Sequence, residues 1–374
     1  MKAVAVTPAT KSIGIISHEE PRIASPTEVK VRMIEVGVCG TDKEIARFDY
    51  GTPPAGSPDL IIGHESLGEV VETGAAVKDV KTGDLVVMMV RRPCARPDCV
   101  ACRAGRQDFC FTGEYTERGI KGHHGFMTEF VVDDERYMTV VPPELRSIGV
   151  LVEPLTVAEK ALMQVWDVQQ RLPWGCVADL ARAGEFQSGH CHRAVVLGAG
   201  PIGLLGALAL LTAGFETYVY SRNSHDDPRV ALIESFGAKF VYSEERTVAQ
   251  LAEEVGNIDL VYEAVGASSL AFDVMKVLGT NGVFVFTGVP GRRAPVEVDT
   301  DFIMRNLVLR NQIFFGTVNA SRENFQAAVA DLARFRERWG DKVERLITGR
   351  FPIEAHADLL LGNTGGIKNV VTIT

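Results

Sequence analysis

The sequence lacks three features that would each indicate a particular class of protein. It has no apolar stretch approaching the roughly 18 residues of a membrane-spanning helix, and it has no long run of Lys or Arg. With a formal net charge of −9, these absences argue against nucleic acid or an anionic membrane as a partner. The start, MKAVAVTPATKSIG, also lacks the apolar core of a signal peptide, so we expect a cytoplasmic protein with reduced thiols.

The composition is that of a folded chain with more than one domain. The 374 residues are 46% hydrophobic and 23% charged, which is typical of globular proteins. Short β-rich segments broken by Gly, Pro and Asp fill residues 1–155 and predict a partly closed β-rich domain. Strand and helix patterns alternate through 156–317, which predicts an α/β doubly wound parallel sheet. Residues 318–374, a helix and a last strand, are expected to return to the first domain.

Four of the seven cysteines lie close together in one loop-like lobe at about 91–111. An odd total in a reducing compartment disfavours disulfides and favours a metal site. Its ligands would be Cys94, Cys99, Cys102 and Cys110. The spacing of the first three equals that of a plant-type [2Fe–2S] site. A tetrahedral zinc site with four thiolates fits the same residues, so the spacing alone leaves both interpretations open.

A glycine-rich turn lies between an apolar strand and an apolar helix. The hexapeptide GAGPIG matches G-x-G-x-x-G, and it follows RAVVL and opens a long apolar helical pattern. This is the context that a dinucleotide-binding fingerprint requires. Gly200 would let the backbone approach a pyrophosphate, and Gly203 would let the helix pack on the strand. The predicted cofactor-binding residues of this turn are Gly198, Gly200, Pro201, Ile202 and Gly203.

The end of the next strand bears on the choice of cofactor. An NAD-selective site usually has Asp or Glu there, whereas this chain has Ser221, Arg222 and Asn223. A guanidinium at this place accommodates a 2′-phosphate, although the nearby Asp226 and Asp227 weigh against it. We therefore expect NADP as the preferred cofactor and keep NAD as a second one. The predicted contacts also include Ala264, Val265, Gly266, Thr287, Gly288, Val289, Thr317 and Asn319.

Several segments resemble the zinc-dependent medium-chain alcohol dehydrogenases. The run GHE-x2-G-x5-G that begins at residue 63 is similar to the zinc signature of that family, and CGTD from residue 39 resembles the segment with its first zinc ligand. Within the family, the glucose 1-dehydrogenase branch is similar in DFCFTGEYTERGIKGHHGFMTEF, LVEPLTVAEKA and FFGTVNASRENF. The resemblance covers almost the whole chain. It implies a GroES-like catalytic domain and a Rossmann domain that binds NADP.

The resemblance also implies that the four clustered cysteines bind a structural zinc. The family's usual first gap is two residues, whereas four residues separate Cys94 from Cys99. An iron–sulfur cluster is disfavoured because its fourth cysteine normally lies much farther along the chain than Cys110 does here. A catalytic zinc is implied as well, which makes two zinc ions per chain.

The ligand types predict where the catalytic zinc binds. Cys39, His64 and a carboxylate supply one thiolate, one imidazole and one oxygen, and they leave a fourth position open. By resemblance, Glu153 stands where many members have a cysteine ligand, and Glu65 follows the ligand histidine. Two glutamates with one thiolate would give the site a net negative charge and weaken its Lewis acidity. We therefore expect Glu65 and Glu153 to share the site.

The resemblance assigns further roles around the substrate. Thr41 would pass on the substrate proton, with Glu65 and Glu153 also in catalytic roles. Glu114 and Asn319 would bond sugar hydroxyls, together with Thr41 and Glu153. The structural alternatives are that Thr41 is a turn-forming threonine at a helix start, and that Glu114 and Asn319 are ordinary loop residues.

These predictions describe a zinc dehydrogenase that oxidises an aldose, with D-glucose the expected substrate, at C1 to the aldono-1,5-lactone. The alternatives are a zinc-dependent polyol, alcohol or threonine dehydrogenase, an iron–sulfur electron-transfer protein, and an NADPH-binding module without catalysis. The expected partners are the sugar and further copies of the chain, in a homodimer or homotetramer.

Overall fold

The computed structural model describes residues 1–175, 188–291 and 295–373. The chain divides into two compact units. One unit is formed by Met1–Thr156 and Asn319–Thr374, and the other by Val157–Val318. Within the described ranges, no helix has the length and apolar character needed to cross a membrane.

The described residues form the following strands and helices, numbered in chain order. The strands are β1 (Lys2–Thr7), β2 (Ser12–Ser17), β3 (Glu28–Gly37), β4 (Leu60–Ile61), β5 (Glu65–Thr73), β6 (Leu85–Met88), β7 (Arg91–Arg92), β8 (Thr116–Arg118), β9 (Gly122–His123), β10 (Phe130–Asp134), β11 (Met138–Val141), β12 (Arg193–Leu197), β13 (Glu216–Ser221), β14 (Lys239–Tyr242), β15 (Leu260–Glu263), β16 (Val283–Phe286), β17 (Ile313–Gly316), β18 (Ile347–Pro352) and β19 (Lys368–Thr372). The helices are α1 (Gly40–Ala46), α2 (Val100–Arg103), α3 (Val152–Gln169), α4 (Pro201–Thr212), α5 (Pro228–Phe236), α6 (Val248–Val255), α7 (Ser268–Met275), α8 (Thr300–Leu309), α9 (Arg322–Trp339) and α10 (His356–Leu361).

The first unit is built mainly from β-sheets. Its largest sheet has the order β11-β6-β5-β3-β19-β18, and β10 also pairs with β3. Smaller sheets have the orders β2-β1-β4 and β7-β8-β9. Two pairings of β3 position the site: Gly37 lies opposite Glu65 of β5 and opposite Val370 of β19. The last strand of the described residues, β19, and the strand that begins at the glutamate of the GHE motif, β5, thus lie on opposite sides of β3.

The core of this unit follows from the strand sequences. In β3, EVKVRMIEVG, the first apolar side chains alternate with polar ones, and Val29, Val31 and Met33 are buried. This period of two is that of a strand with one face on a core. Phe126 and Met127, from the segment before β10, are buried in the same core.

The second unit is a parallel sheet with the order β14-β13-β12-β15-β16-β17. The direction of winding reverses between β12 and β15, and in such sheets ligands bind beside the carboxyl ends of the strands at this reversal. The loops that follow β12, β15 and β16 hold the predicted cofactor residues at 198–200, 264–266 and 287–289. The predicted fold class, a β-rich domain and a doubly wound parallel sheet, is confirmed.

Helix α4 packs closely on the parallel sheet because glycines face it. Residues Gly203 to Leu211 of this helix are all buried, as expected for a helix that is apolar all round. A Cβ at Gly203 would lie 2.2 Å from the carbonyl oxygen of Gly198, and one at Gly206 would lie 2.3 Å from the Tyr262 ring. Both positions therefore require glycine for close packing.

Replacing Gly203 by Ala is expected to destabilise the second unit. Helix α4 would have to move away from β12, and overpacking of this kind typically costs about 1–3 kcal/mol. Gly200→Ala is the matched control, since nothing lies within 4 Å of the added Cβ. Urea denaturation should give a lower free energy of unfolding for Gly203→Ala alone. Equal curves for the two variants would contradict the packing argument.

Candidate active site and metal centres

The first unit brings three of the predicted zinc ligands together. One ligand atom from each of Cys39, His64 and Glu65 lies within 4.8 Å of the other two. Cys39 immediately precedes α1, His64 follows the β4 segment, and Glu65 begins β5. One thiolate, one imidazole and one carboxylate are ligands that Zn²⁺ accepts, so this donor set fits the implied catalytic zinc.

Two glycines allow the close approach of these ligands. Gly63 has a φ of 89°, and a Cβ there would lie 2.6 Å from Cγ of Met127. Positive φ is tolerated best by glycine. A Cβ at Gly37 would lie 2.0 Å from Oε2 of Glu65. The glycine of the GHE motif is thus needed for the turn, and Gly37 leaves space for the glutamate.

Asp42 holds two of the ligand residues in place, although the sequence analysis gave it no role. Its side chain is fully buried. Oδ2 accepts a hydrogen bond from the Cys39 backbone N–H at 2.9 Å, and Oδ1 lies 3.2 Å from Nδ1 of His64. A carboxylate on one ring nitrogen orients a metal-binding histidine and leaves the other nitrogen for the metal. The D of CGTD, three residues after Cys39, is the sequence signal for this role.

The same carboxylate contributes to the charge state of the histidine. Burial disfavours the imidazolium form, but Asp42 and Cys39 together outweigh this and raise the pKa of His64 well above its ordinary value. A metal ligand must be the neutral imidazole. Metal binding at this histidine is therefore coupled to release of a proton.

A buried lysine from the end of the chain contacts Glu65. Nζ of Lys368 lies 2.6 Å from Oε1 and 2.5 Å from Oε2 of Glu65, and it also donates to the Val38 carbonyl oxygen at 3.2 Å. The side chains of Lys368 and Glu65 are 2% and 1% exposed. Burial lowers the pKa of Lys368, but Glu65, together with Cys39 and Glu153, outweighs this and raises it. Lys368 therefore keeps its positive charge, and its position places a cation of the protein itself on the Glu65 carboxylate.

Glu153 lies in the first turn of α3 and is not a member of the three-residue ligand cluster. Burial raises the pKa of Glu153 to about 7; His64 and Lys368 lower it, while Glu65 and Asp42 raise it. Glu153 thus interacts electrostatically with His64 and Glu65 of the cluster. Unlike Glu65, it has no hydrogen-bonded cation within the described residues.

The other predicted catalytic and sugar-binding residues differ in their surroundings. Thr41, the second residue of α1, is half-buried, and its hydroxyl has no hydrogen bond within the described ranges. The Glu114 side chain is 58% exposed and lies 3.6 Å from Nη1 of Arg96. Asn319 is half-buried, and its Nδ2 donates to Oε1 of Glu117 at 2.9 Å. Glu117 is a buried residue that the sequence analysis did not select.

The four clustered cysteines come together in the lobe of the first unit. One sulfur atom from each lies within 4.8 Å of the others. The backbone N–H of Cys94 points to Sγ of Cys102 at 3.4 Å, and Sγ of Cys110 lies 3.3 Å from the Thr112 hydroxyl. Four thiolates from one short segment fit a closed, tetrahedral structural zinc.

The second unit gathers the residues of the glycine-rich turn and of the loops after the next strands. Gly198 has a φ of 99°, and the space beside Gly200 is open. This opening at the start of α4 fits the pyrophosphate of a dinucleotide, since the helix N-terminus favours negative charge. The hydroxyl of Thr317 is buried and has no hydrogen-bond partner in the described part of the chain.

Glu263 organises two of these loops, and sequence reasoning missed it. Its Oε1 accepts from the backbone N–H groups of Val265 at 2.8 Å and Gly266 at 2.7 Å, and its Oε2 accepts from Gly288 at 3.2 Å. Its backbone carbonyl accepts from the Thr287 hydroxyl at 2.7 Å. A lone carboxylate at the end of the apolar strand LVYE is the signal that could have identified it.

A chain of hydrogen bonds follows β13. The Ser221 hydroxyl donates to Oδ1 of Asn223 at 2.6 Å, and Nδ2 of Asn223 donates to Oδ2 of Asp227 at 2.6 Å. Asp227 also caps α5 by accepting from the Arg229 backbone N–H. Arg222 is exposed, and its side chain has no hydrogen bond or ion pair within the described residues. Asp227 is therefore occupied, whereas the guanidinium of Arg222 is available to a ligand.

Breaking the Lys368–Glu65 pair is expected to destabilise the first unit strongly. Lys368→Met would leave a buried carboxylate without its cation, which typically costs about 3–5 kcal/mol. The double variant Lys368→Met with Glu65→Gln removes both charges and should recover part of the loss. The measurement is the free energy of unfolding in urea at matched zinc content. A double variant less stable than Lys368→Met would contradict the role assigned to the pair.

Comparisons with known proteins agree along the whole chain. Residues 146–373 match the family model described as "Glucose dehydrogenase C-terminus", and residues 25–143 match "Alcohol dehydrogenase GroES-like domain". A glucose 1-dehydrogenase of Methanocella arvoryzae is 38% identical over 374 residues, which cover 100% of this chain and 99% of the relative. A glucose 1-dehydrogenase of Thermoproteus tenax is 35% identical over 376 residues, with coverage of 100% and 99%.

A solved structure is also similar. The structure of Haloferax mediterranei glucose dehydrogenase in complex with NADP, Zn and gluconolactone superposes with a TM-score of 0.86 at 30% identity, covering 100% of this chain and 99% of that one. The family models, the full-length relatives and this fold agree with the resemblance inferred from the zinc signature. The chain belongs to the zinc-dependent medium-chain alcohol dehydrogenase family, in its glucose dehydrogenase branch.

Proposed function

We propose that the protein is a zinc-dependent glucose 1-dehydrogenase that prefers NADP and oxidises D-glucose at C1 to the aldono-1,5-lactone. The observation that carries this proposal is the cluster of Cys39, His64 and Glu65 within 4.8 Å, in a chain whose full-length relatives are glucose 1-dehydrogenases. The related Haloferax enzyme was solved with NADP, Zn and gluconolactone. Those three ligands are the cofactor, the metal and the product class proposed here.

The residues proposed to hold the catalytic zinc are Cys39, His64, Glu65 and Glu153. Lewis-acid polarisation of the anomeric hydroxyl is the chemistry that Zn²⁺ supplies when bound, and hydride acceptance from C1 is the chemistry of the nicotinamide. Asp42 keeps His64 in the orientation and tautomer needed for ligation. Lys368 cancels the charge of Glu65, so this carboxylate can lie beside a metal without reducing the positive charge of the site.

The protein's own groups handle the proton and the sugar. Oxidation of the C1 hydroxyl releases one proton in addition to the hydride, and the Thr41 hydroxyl, which has no other partner in the described residues, is proposed to receive and pass it on. Glu114 and Asn319 are proposed to bond sugar hydroxyls, with Glu153 as a further sugar contact. Asn319 is already oriented by Glu117, whereas Glu114 is exposed.

The cofactor is proposed to bind at the carboxyl ends of the parallel strands. Gly200 provides the open space for the pyrophosphate, and Glu263 holds the loops at Val265 and Gly288. Arg222 is proposed to bind the 2′-phosphate that distinguishes NADP from NAD. The full set is Gly198, Gly200, Pro201, Ile202, Gly203, Ser221, Arg222, Asn223, Ala264, Val265, Gly266, Thr287, Gly288, Val289, Thr317 and Asn319.

The structural zinc is proposed to bind the lobe through Cys94, Cys99, Cys102 and Cys110. This assignment distinguishes the enzyme from an iron–sulfur electron-transfer protein. A colourless protein with two zinc ions per chain would exclude the cluster.

We also propose that the chain forms a homodimer or homotetramer and that it works in the cytoplasm. Helix α8 leaves large apolar side chains in water, with exposed fractions of 43% at Phe302, 62% at Met304 and 66% at Leu309. The neighbouring strand β17 ends the parallel sheet and pairs only with β16 among the described strands. An exposed apolar patch beside an open sheet edge is typical of a protein–protein interface.

The decisive experiment is a panel of aldoses, polyols and simple alcohols assayed with NADP and with NAD. We expect the highest kcat/KM for D-glucose with NADP, with the lactone as the product. Complete removal of zinc by chelation should abolish turnover, and added zinc should restore it. A higher kcat/KM for a polyol or for threonine, or turnover by metal-free protein, would overturn the proposal.

Arg222→Ala should weaken NADP binding selectively. A guanidinium on the 2′-phosphate makes charge-assisted hydrogen bonds worth about 1.5–3 kcal/mol each, so kcat/KM for NADP should fall roughly 10- to 100-fold. NAD lacks the phosphate and should be almost unaffected. The measurement is kcat/KM for both cofactors at fixed ionic strength, because salt screens the contact. Equal losses for both cofactors would mean that Arg222 acts elsewhere.

A further inference from the structure

Glu117 lies at the centre of a buried polar cluster in the first unit. The residue is 5% exposed, and its Oε1 accepts from Nε of Arg91 at 3.1 Å, from Nη2 of Arg91 at 3.0 Å and from Nδ2 of Asn319 at 2.9 Å. Three donors thus converge on one carboxylate oxygen. Bonds to an ionised group are stronger than neutral ones, so the carboxylate fixes Asn319 more firmly than a neutral acceptor would.

The backbone and side chain of Asn319 are both constrained. Its φ is 62°, a left-handed conformation that asparagine tolerates better than most residues. Its Oδ1 accepts from the Ala320 backbone N–H at 2.9 Å. A backbone donor on Oδ1 and a carboxylate on Nδ2 together determine which way the amide faces. One N–H and one lone pair of the amide then remain for a ligand.

Arg91 is held by contacts on several sides besides its bonds to Glu117. Strand β7 pairs with β8 so that Arg91 lies opposite Glu117. The guanidinium carbon lies 3.7 Å from the centre of the Tyr115 ring, and Nη1 donates to the Asp108 carbonyl oxygen at 3.2 Å. The planar guanidinium is thus stacked and hydrogen-bonded on several sides, which arginine does better than lysine.

We propose that the Arg91–Glu117 pair is a positioning device for Asn319, which sets the direction of the amide that meets the sugar or the cofactor. This inference rests on the proposed function, since it assigns Asn319 a ligand. In this proposal Glu117 and Arg91 act through Asn319 and are not themselves ligands of the substrate or cofactor. They act by removing the rotational freedom of the amide before the ligand arrives, so that binding does not have to order it.

Glu117→Gln and Asn319→Ala, singly and together, test the proposal. Each single variant should lower kcat/KM for glucose by about 10-fold, the effect of one charge-assisted hydrogen bond, with KM raised more than kcat is lowered. If Glu117 acts only through Asn319, the double variant should lie within about 2-fold of Asn319→Ala. Losses that multiply to about 100-fold would overturn the proposal.

A spectroscopic measurement tests the same idea without turnover. In proton–nitrogen spectra of zinc-loaded protein labelled at asparagine side chains, the Asn319 amide is the signal that disappears in Asn319→Ala. A proton bonded to a carboxylate should resonate downfield, and Glu117→Gln should move this signal upfield. Arg91→Lys keeps the positive charge but loses the two-pronged guanidinium, and it should move the Asn319 signal in the same direction. This variant replaces Glu117→Gln in the test if Glu117→Gln does not fold. An unmoved signal in either folded variant would contradict the positioning role.

The control is Glu35→Gln, which breaks another ion pair of the same unit. The Glu35 side chain is 8% exposed, and its Oε1 lies 2.7 Å from Nε of Arg350. This variant should lower the melting temperature without changing kcat/KM for glucose or the Asn319 signal. If it reproduced the kinetic loss of Glu117→Gln, the effect would be one of stability, and positioning would be rejected. A wild-type enzyme that does not oxidise glucose would reject the proposed function, whereas the amide signal would still decide the positioning.

Discussion

The buried ion pair between Glu65 and Lys368 is the constraint on which the candidate zinc site depends. The two residues are 303 positions apart in the chain, and both are almost fully buried. A carboxylate cannot be buried in ionised form without a partner, so β5 can carry Glu65 beside Cys39 only because β19 brings a lysine to it. This pairing also offsets part of the negative charge that two glutamates and a thiolate would bring to the metal, which would otherwise weaken its Lewis acidity. With Lys368 included, Zn²⁺, a Cys39 thiolate and ionised carboxylates of Glu65 and Glu153 would together have no net charge.

Buried carboxylates hold predicted functional groups at three places in this structure. Asp42 accepts from the Cys39 backbone and faces His64, Glu117 holds Asn319, and Glu263 gathers the backbone N–H groups of two cofactor loops. In each case the carboxylate bonds to a predicted functional residue and is not itself one of the predicted site residues. Such groups are satisfied by several donors at once, which makes them expensive to replace and keeps the geometry rigid. The predicted metal, sugar and cofactor ligands are thus held in place by buried polar residues.

Sequence reasoning predicted the fold class and found the residues of the metal clusters because both leave short-range signals. The GHE motif, the four cysteines and the glycine-rich turn each lie within about twenty consecutive residues. Lys368 and Glu117 were missed because their partners come from distant segments, and nothing in the local sequence indicates that a lysine or glutamate is buried. Glu114 and Glu117 lie three residues apart and look alike in the sequence. The β7–β8 register, which sets Arg91 opposite Glu117, determines which of them is paired inside.

The unusual cysteine spacing has a local explanation in the lobe. All four residues between Cys94 and Cys99 are exposed, while both cysteines are buried. Arg96 and Asp98 pair with each other at the surface, and the Cys99 backbone N–H closes the turn onto the Arg96 carbonyl oxygen at 3.3 Å. Two additional residues in a surface turn cost little, because loop length changes the closure entropy only slowly. The longer gap therefore lengthens the loop at the surface and leaves the four sulfur atoms within reach of one metal ion.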